Sequence, residues 1–382
     1  MEFSDLMPAI AGMTWKHLVM ITVGFTLIFL AIKKQYEPTL LLPMGFGAIL
    51  ANIPFSAVLT QTDLVGNKVV GALDVFFHAG IATEVFPLLI FIAIGAMIDF
   101  SPLFQRPVLL LFGAAAQFGI FITMVLATLV GFDIAQAASI GIIGAADGPT
   151  SIIVANQLAP SLLGPISVAA YSYMALVPII QPPVIKLLTS RKERLMRMTS
   201  DTNKKVSKTA LIMFPIIVTV LAGLIAPSSL ALIGFLMFGN LIRECGVLNS
   251  LSKTAQNELA NLVTILLGIT IASTMTAEQF VRWDTILILG LGIFAFVFDT
   301  AGGVLFAKLM NIFLPEDKKV NPMVGACGIS AFPMSARVIH GMGQKEDPHN
   351  YLLMPAISAN VGGQIGSVIV GGLILMLVPL FL

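Results

Sequence analysis

Apolar residues run along this chain in about a dozen long blocks divided by short polar interruptions. A helix crossing the hydrocarbon layer needs roughly 20 apolar residues, and most blocks approach or exceed that length. They fall at 17–32, 39–59, 85–99, 107–131, 134–158 and 162–188, and then at 210–226, 230–248, 259–276, 285–314, 323–340 and 351–380. Several are short or rich in Gly and Pro, so they read as broken helices. Between the two sets lies the one long polar stretch, Arg191-Lys192-Glu193-Arg194 continuing through Arg197, Lys204, Lys205 and Lys208. A loop with an excess of Lys and Arg is cytoplasmic by the positive-inside rule. The expected organisation is a first transmembrane repeat over 1–190, a basic, solvated cytoplasmic linker over 191–209 and a second transmembrane repeat over 210–382.

The two sets share a pattern. Gly141-x-x-Gly144-x-x-x-x-Pro149-x-Ser151 recurs as Gly325-x-x-Gly328-x-x-x-x-Pro333-x-Ser335, and Leu162-Leu163-Gly164-Pro165 recurs as Leu352-Leu353-Met354-Pro355. Gly/Pro-interrupted segments at matching places in two halves point to a binding site where a repeat-built transporter brings them together. The fold expected is an all-α polytopic membrane protein with two inverted repeats, the inversion following if each half crosses an odd number of times. Discontinuous helices from the two repeats would meet at a midplane ion site.

Composition fits an integral membrane protein: 57% hydrophobic residues, 11% charged and a mean hydropathy of +0.96. The charge, 21 Lys+Arg against 20 Asp+Glu, offers no basic surface for nucleic acid. Cys245, Cys327 and four scattered histidines form no zinc, haem or iron–sulfur spacing, and no disulfide framework is expected. The first residues carry Glu2 and Asp5 and lack a basic region leading to a cleavage site, so no secretory signal is expected.

Chemistry concentrates at Ala146-Asp147-Gly148-Pro149-Thr150. A charge at membrane depth costs about 2.5–3.5 kcal/mol on insertion scales and is retained where it meets a partner, a cavity or an ion. The Gly and Pro that follow break the helix and free backbone carbonyls. Thr150 and Ser151 adjoin Asp147, and Tyr171, Ser172 and Tyr173 stand in the next block. Repeat two contributes Asn321 before its break, Ser330 beside the counterpart of Asp147, and Asn360 further on. Carboxylate, amide, hydroxyl and carbonyl oxygens suit a hard cation. One carboxylate among neutral oxygens fits sodium in competition with a proton. Plainer readings stand beside this: Asp147 as a helix cap or ion-paired with Arg337, the hydroxyls as packing groups, Tyr171 and Tyr173 as interfacial aromatics, and Arg337 as a snorkelling side chain. Glu84, Asp99, Asp133 and Asp299 are read as structural, near block ends where water is close.

The segments Gly144-Ala145-Ala146-Asp147-Gly148-Pro149-Thr150, Gly328 to Val338 and Leu352 to Val361 resemble the membrane-embedded beta subunit of the sodium-translocating, biotin-dependent decarboxylases, the oxaloacetate, methylmalonyl-CoA and glutaconyl-CoA decarboxylase sodium pumps. The resemblance implies a scaffold and a core with two broken helices, in a multi-pass protein of the bacterial inner membrane. It implies partners: a carboxyltransferase subunit, a biotin carrier subunit and a small membrane subunit, with homo-oligomers in the complex. It implies decarboxylation of carboxybiotin coupled to sodium export and proton consumption. Asp147 would bind sodium, with Asn321 and Ser330 handling sodium and protons and Asn360 a further ligand. Tyr173, with Tyr171 behind it, would stand near that site, and Arg337 would take the carboxybiotin carboxylate. His340 departs from the neutral amide expected there. The alternative from the ion site alone is a secondary transporter, a sodium/proton antiporter or sodium-coupled carboxylate symporter. An intramembrane aspartyl hydrolase is disfavoured, because the counterpart of Asp147 is Ala331.

Overall fold

In the computed structural model, which describes residues 8–35, 37–62, 66–198 and 206–382, the apolar blocks are helices. The first half contains α1 (Trp15–Lys34), α2 (Pro38–Ala51), α3 (Val85–Met97), α4 (Pro107–Val130), α5 (Ile134–Gly141), α6 (Gly148–Leu158) and α7 (Leu163–Leu188). The second contains α8 (Lys208–Ile225), α9 (Leu230–Glu244), α10 (Ala260–Ile271), α11 (Trp283–Phe313), α12 (Pro322–Gly325), α13 (Met334–Glu346) and α14 (Leu353–Leu377). Six helices are long and apolar enough to span a membrane, and two bent pairs bring this to as many as eight among the described residues. The one departure from helix there is a two-residue antiparallel ladder, Gln61–Thr62 with Lys68–Val69. Leu129, Leu224 and Phe313 are 77%, 76% and 80% exposed, as side chains facing lipid must be.

In lipid, helices gain little from burying apolar surface against one another, so small residues that admit close backbone approach hold them together. Helices α3 and α9 show this reciprocally. A Cβ at Gly95 would strike the Leu236 carbonyl, and one at Gly239 would strike that of Ile92. The same holds for Gly303 of α11 and Gly325 of α12, each against the other's carbonyl.

Both halves break the chain in the same order. Helix α5 tightens into a 3-10 turn over 142–145, Ala146 turns left-handed (φ 53°), and Asp147 caps the new helix α6. Helix α12 likewise tightens over 326–328 before an extended stretch leads to α13. The breaks touch: the Ser330 N–H donates to the Ala145 carbonyl at 2.9 Å.

The start of the basic stretch is folded, with Arg191, Lys192 and Arg197 exposed. Residues Arg191–Arg194 form a helical turn capped by Ser190. Arg194 pairs with Glu346 at 2.7 Å and Arg197 with Asp347 at 2.7 Å. The carbonyls of Arg194 and Met196 accept from the side-chain amides of Asn321 and Asn350. Lys204 and Lys205 lie outside the described residues, and Lys208 opens α8.

Candidate cation site

Helix α6 begins at Gly148-Pro149, where proline's fixed φ and missing N–H suit a first turn. That turn aims free N–H groups at the preceding residue, Asp147, whose Oδ1 accepts from the Thr150 N–H at 3.3 Å. Oδ2 accepts from the Thr150 hydroxyl at 2.7 Å, the Ser367 hydroxyl at 2.8 Å and the Gln364 side-chain amide at 3.3 Å. The Ser367 oxygen lies 3.0 Å from that of Ser330, in the second break. Asp147, Thr150, Ser330, Gln364 and Ser367 are all buried. The capping reading of Asp147 is therefore correct as far as it goes, yet the cap occupies one oxygen weakly while the Thr150 hydroxyl and, from the other half, the Ser367 hydroxyl and Gln364 amide converge on the second. No ion pair joins Asp147 to Arg337, which is exposed.

Asn360 sits one turn before Gln364 on α14. Its amide donates to the Ile329 carbonyl at 2.6 Å and the Cys327 carbonyl at 3.3 Å, tying α14 to the second break, while its Oδ1 is buried without a partner. Tyr171 is buried, and its ring covers Gly148 so closely that a Cβ there would collide with it. Tyr173 is buried too, its hydroxyl donating to the Leu289 carbonyl and its ring packed on Gly292. Neither tyrosine is an interfacial belt residue. Asn321 is used differently: its Oδ1 caps α12 by accepting from the Met323 N–H at 3.0 Å, and its amide holds the basic stretch. The structure does not join it to Asp147 by a hydrogen bond.

Sequence reasoning missed Gln364 and Ser367. Their signal was present: Asn360, Gln364 and Ser367 repeat at four- and three-residue intervals on one face of an otherwise apolar helix. Asp299 needs correcting. It lies mid-way along α11, fully buried and away from any helix end. Glu84, Asp99 and Asp133 do sit at helix ends, Glu84 taking a hydrogen bond from Gln157, Asp99 facing Arg243 at 3.7 Å and Asp133 capping α5.

Two cavities flank the site. One, about 450 Å³, is lined by Lys186, Arg337, Lys345 and Glu346 at the end carrying the basic stretch. The other, about 160 Å³, reaches from Glu37 and Met97 to Pro149 and Tyr171, between the helices α2, α3 and α10 and the pair α6 and α7. Burial raises the Glu37 carboxyl above its ordinary value, and the positive charge of Arg337 opposes that rise.

The sequence profile of the Na+-transporting oxaloacetate decarboxylase beta subunit matches residues 16–378. The chain belongs to this family. It is 48% identical over 382 residues to the methylmalonyl-CoA decarboxylase subunit beta of Propionigenium modestum, with 96% of each chain covered. To the glutaconyl-CoA decarboxylase subunit beta of Acidaminococcus fermentans it is 48% identical over 365 residues, covering 96% of this chain and 94% of that one. To the oxaloacetate decarboxylase beta chain of Klebsiella pneumoniae it is 42% identical over 424 residues, covering 96% and 97%. It is thus the membrane subunit of a sodium-transporting decarboxylase, a multi-pass protein of the bacterial inner membrane. A freestanding secondary transporter is not favoured.

Proposed function

We propose that Asp147 carries the transported sodium ion, exchanging it for the proton that carboxybiotin decarboxylation consumes. The carrying observation is the Asp147 carboxylate itself: buried, unpaired with any cationic side chain, and met by neutral hydroxyl and amide groups from both halves of the chain, Thr150 on α6 and Gln364 and Ser367 on α14. A bare carboxylate is costly in an apolar interior, and either a sodium ion or a proton relieves that cost. Ser330, Ser367 and Thr150 would turn their oxygens toward the ion, and the unpartnered Oδ1 of Asn360 is the nearest free amide oxygen on the same helix face. Asn321 would act as the cap that fixes the second break, with Tyr171 and Tyr173 closing the site laterally.

Arg337 would receive the carboxybiotin carboxylate bidentately, in the cavity it shares with Lys186 and Lys345. Biotin would arrive on a carrier subunit, charged by a carboxyltransferase subunit, with a small membrane subunit and further copies of this chain completing the complex. The two halves are read as inverted repeats meeting midway through the membrane.

The test is Asp147→Asn in the assembled complex. Asn keeps the shape and removes the charge, so sodium uptake into inverted vesicles and sodium-dependent carbon dioxide release should both be lost while the chain inserts normally. Near-normal uptake would remove Asp147 from the ion path.

A further inference from the structure

The chain buries a second intramembrane carboxylate for which the sodium site has no use. Asp299 is 0% exposed in the middle of α11, and both of its carboxylate oxygens lack a hydrogen-bond partner. The N–H groups of Gly119 and Ile120, just past the break in α4 at Gln117, face it without reaching hydrogen-bond geometry. The side chain is wedged between two glycines. A Cβ on Gly119 would collide with Oδ1, and a Cβ on Gly144 with Oδ2. Gly144 belongs to the 3-10 turn that leads into Asp147.

No compensating charge is near. Helices α4, α5 and α12, and the turn over 142–145, carry no charged side chain. From α7, the titratable Tyr173 packs on Gly292, about two turns along α11 from Asp299, and donates its O–H in a hydrogen bond to the Leu289 carbonyl. Lys186 of α7 lines the cavity beside Arg337, the turn over 326–328 offers Cys327, and Asp147 follows the turn against Oδ2. On α11 itself, Asp284 pairs with Arg282 and Lys308 with Glu193. A negative charge at Asp299 would therefore be buried with no cation near it and only the Gly119 and Ile120 N–H groups turned toward it. Sodium cannot supply the compensation, since a hard cation needs several oxygen ligands and the glycines leave no room for a shell. A proton needs only the carboxyl group.

We propose that Asp299 is a second proton-binding site, a carboxyl group that holds its proton while Gly144 packs on it and can lose it only when the 142–147 break moves away. Proton occupancy at Asp299 is thereby linked to the conformation of the break that presents Asp147. The linkage rests on the sodium reading of Asp147; the protonated state of Asp299 does not.

Infrared spectroscopy of the purified full-length chain tests it. With aspartates carbon-13 labelled at the side-chain carboxyl, in an Asp147→Asn background and at a pH where surface aspartates are ionised, an isotope-shifted band of a protonated carboxyl group should remain. Adding Asp299→Asn should remove it. Absence of the band before that change would overturn the proposal, and this reading needs no folded Asp299 variant. In the assembled complex, Asp299→Asn should flatten the pH dependence of turnover while leaving half-saturating sodium in place. An unchanged pH profile would reduce Asp299 to a packing group and overturn the linkage. A normal Asp147→Asn pump would instead sink the sodium reading and leave the infrared result standing.

Discussion

The backbone N–H of Ser330 donates to the carbonyl of Ala145, joining the two helix breaks through main-chain atoms from opposite halves of the chain. The bond uses no side chain, so it holds the two breaks together at the backbone, and side-chain bonds from Ser367 to Ser330 and to Asp147 complete the link. The breaks are therefore one site rather than two that happen to be close.

Ser367→Ala and Gln364→Leu each remove a donor to the Asp147 carboxylate and leave its charge. Hydrogen bonds to charged groups are worth about 1.5–3 kcal/mol, so half-saturating sodium should shift by about tenfold or more. Sodium titration of carbon dioxide release measures this. A fall in maximal rate with an unchanged sodium midpoint would make both residues packing groups.

Arg337→Lys keeps a positive charge and loses the planar fork that grips a carboxylate through two parallel bonds. Decarboxylation of carboxybiotin should fall sharply in Arg337→Lys and more in Arg337→Ala. The protection against heat that sodium should give the purified chain through Asp147 should be unchanged in both. Loss of that protection would place Arg337 in the ion site.

Gly303→Ala and Gly325→Ala each put a methyl group into the opposite helix's carbonyl, where neither backbone can yield. Overpacking of this kind costs about 1–3 kcal/mol. Thermal unfolding in detergent should drop for either variant, and the control Gly290→Ala, which has open space, should leave it unmoved.

Acid should release the basic stretch. The hydrogen bond from Arg194 and its charge hold the Glu346 carboxyl below its ordinary value of 4.5. A carboxyl group depressed in the folded state contributes stability above its unfolded value and loses it as pH falls through the folded one. Backbone amides of residues 191–198 should thus be protected at neutral pH and lose that protection, measured against the intrinsic exchange rate at each pH, as acid protonates Glu346. Hydrogen exchange followed by mass spectrometry would show this, and Arg194→Ala should give the fast rate at neutral pH.

Much of this architecture was legible because lipid leaves few options: most apolar blocks became helices close to their expected bounds, while 39–59 is helical only to Ala51 and 134–158 and 323–340 are each broken in two. The helical segments over Ala72–Phe76 and Phe77–Ile81 escaped notice since Asp74, His78 and Gly80 dilute their hydropathy. Asp147 and Ser330 were legible as polar residues at Gly/Pro breaks. Gln364 and Ser367 were not, because attention to matched breaks overlooks a polar face on an unbroken helix. Asn321 pointed the wrong way for a related reason: a residue before a helix start turns its side chain back to cap it, and sequence position says nothing about that turn. Asp299 was misjudged because α11 runs for 31 residues, which carries the mid-point of its apolar block far from water.

The interlocked glycines of α3 and α9 have a mechanical consequence. Gly95 and Gly239 mesh like opposed gear teeth, each seated under a main-chain carbonyl of the other helix, so one helix cannot ride past the other without a full disengagement. The face toward α6 and α7 is less closed: Gly164 of α7 lies under the Thr274 carbonyl, but beside it a cavity runs from Glu37 to Pro149. A locked helix pair and a hollow seam beside the segment bearing Asp147 are thus built into the same fold.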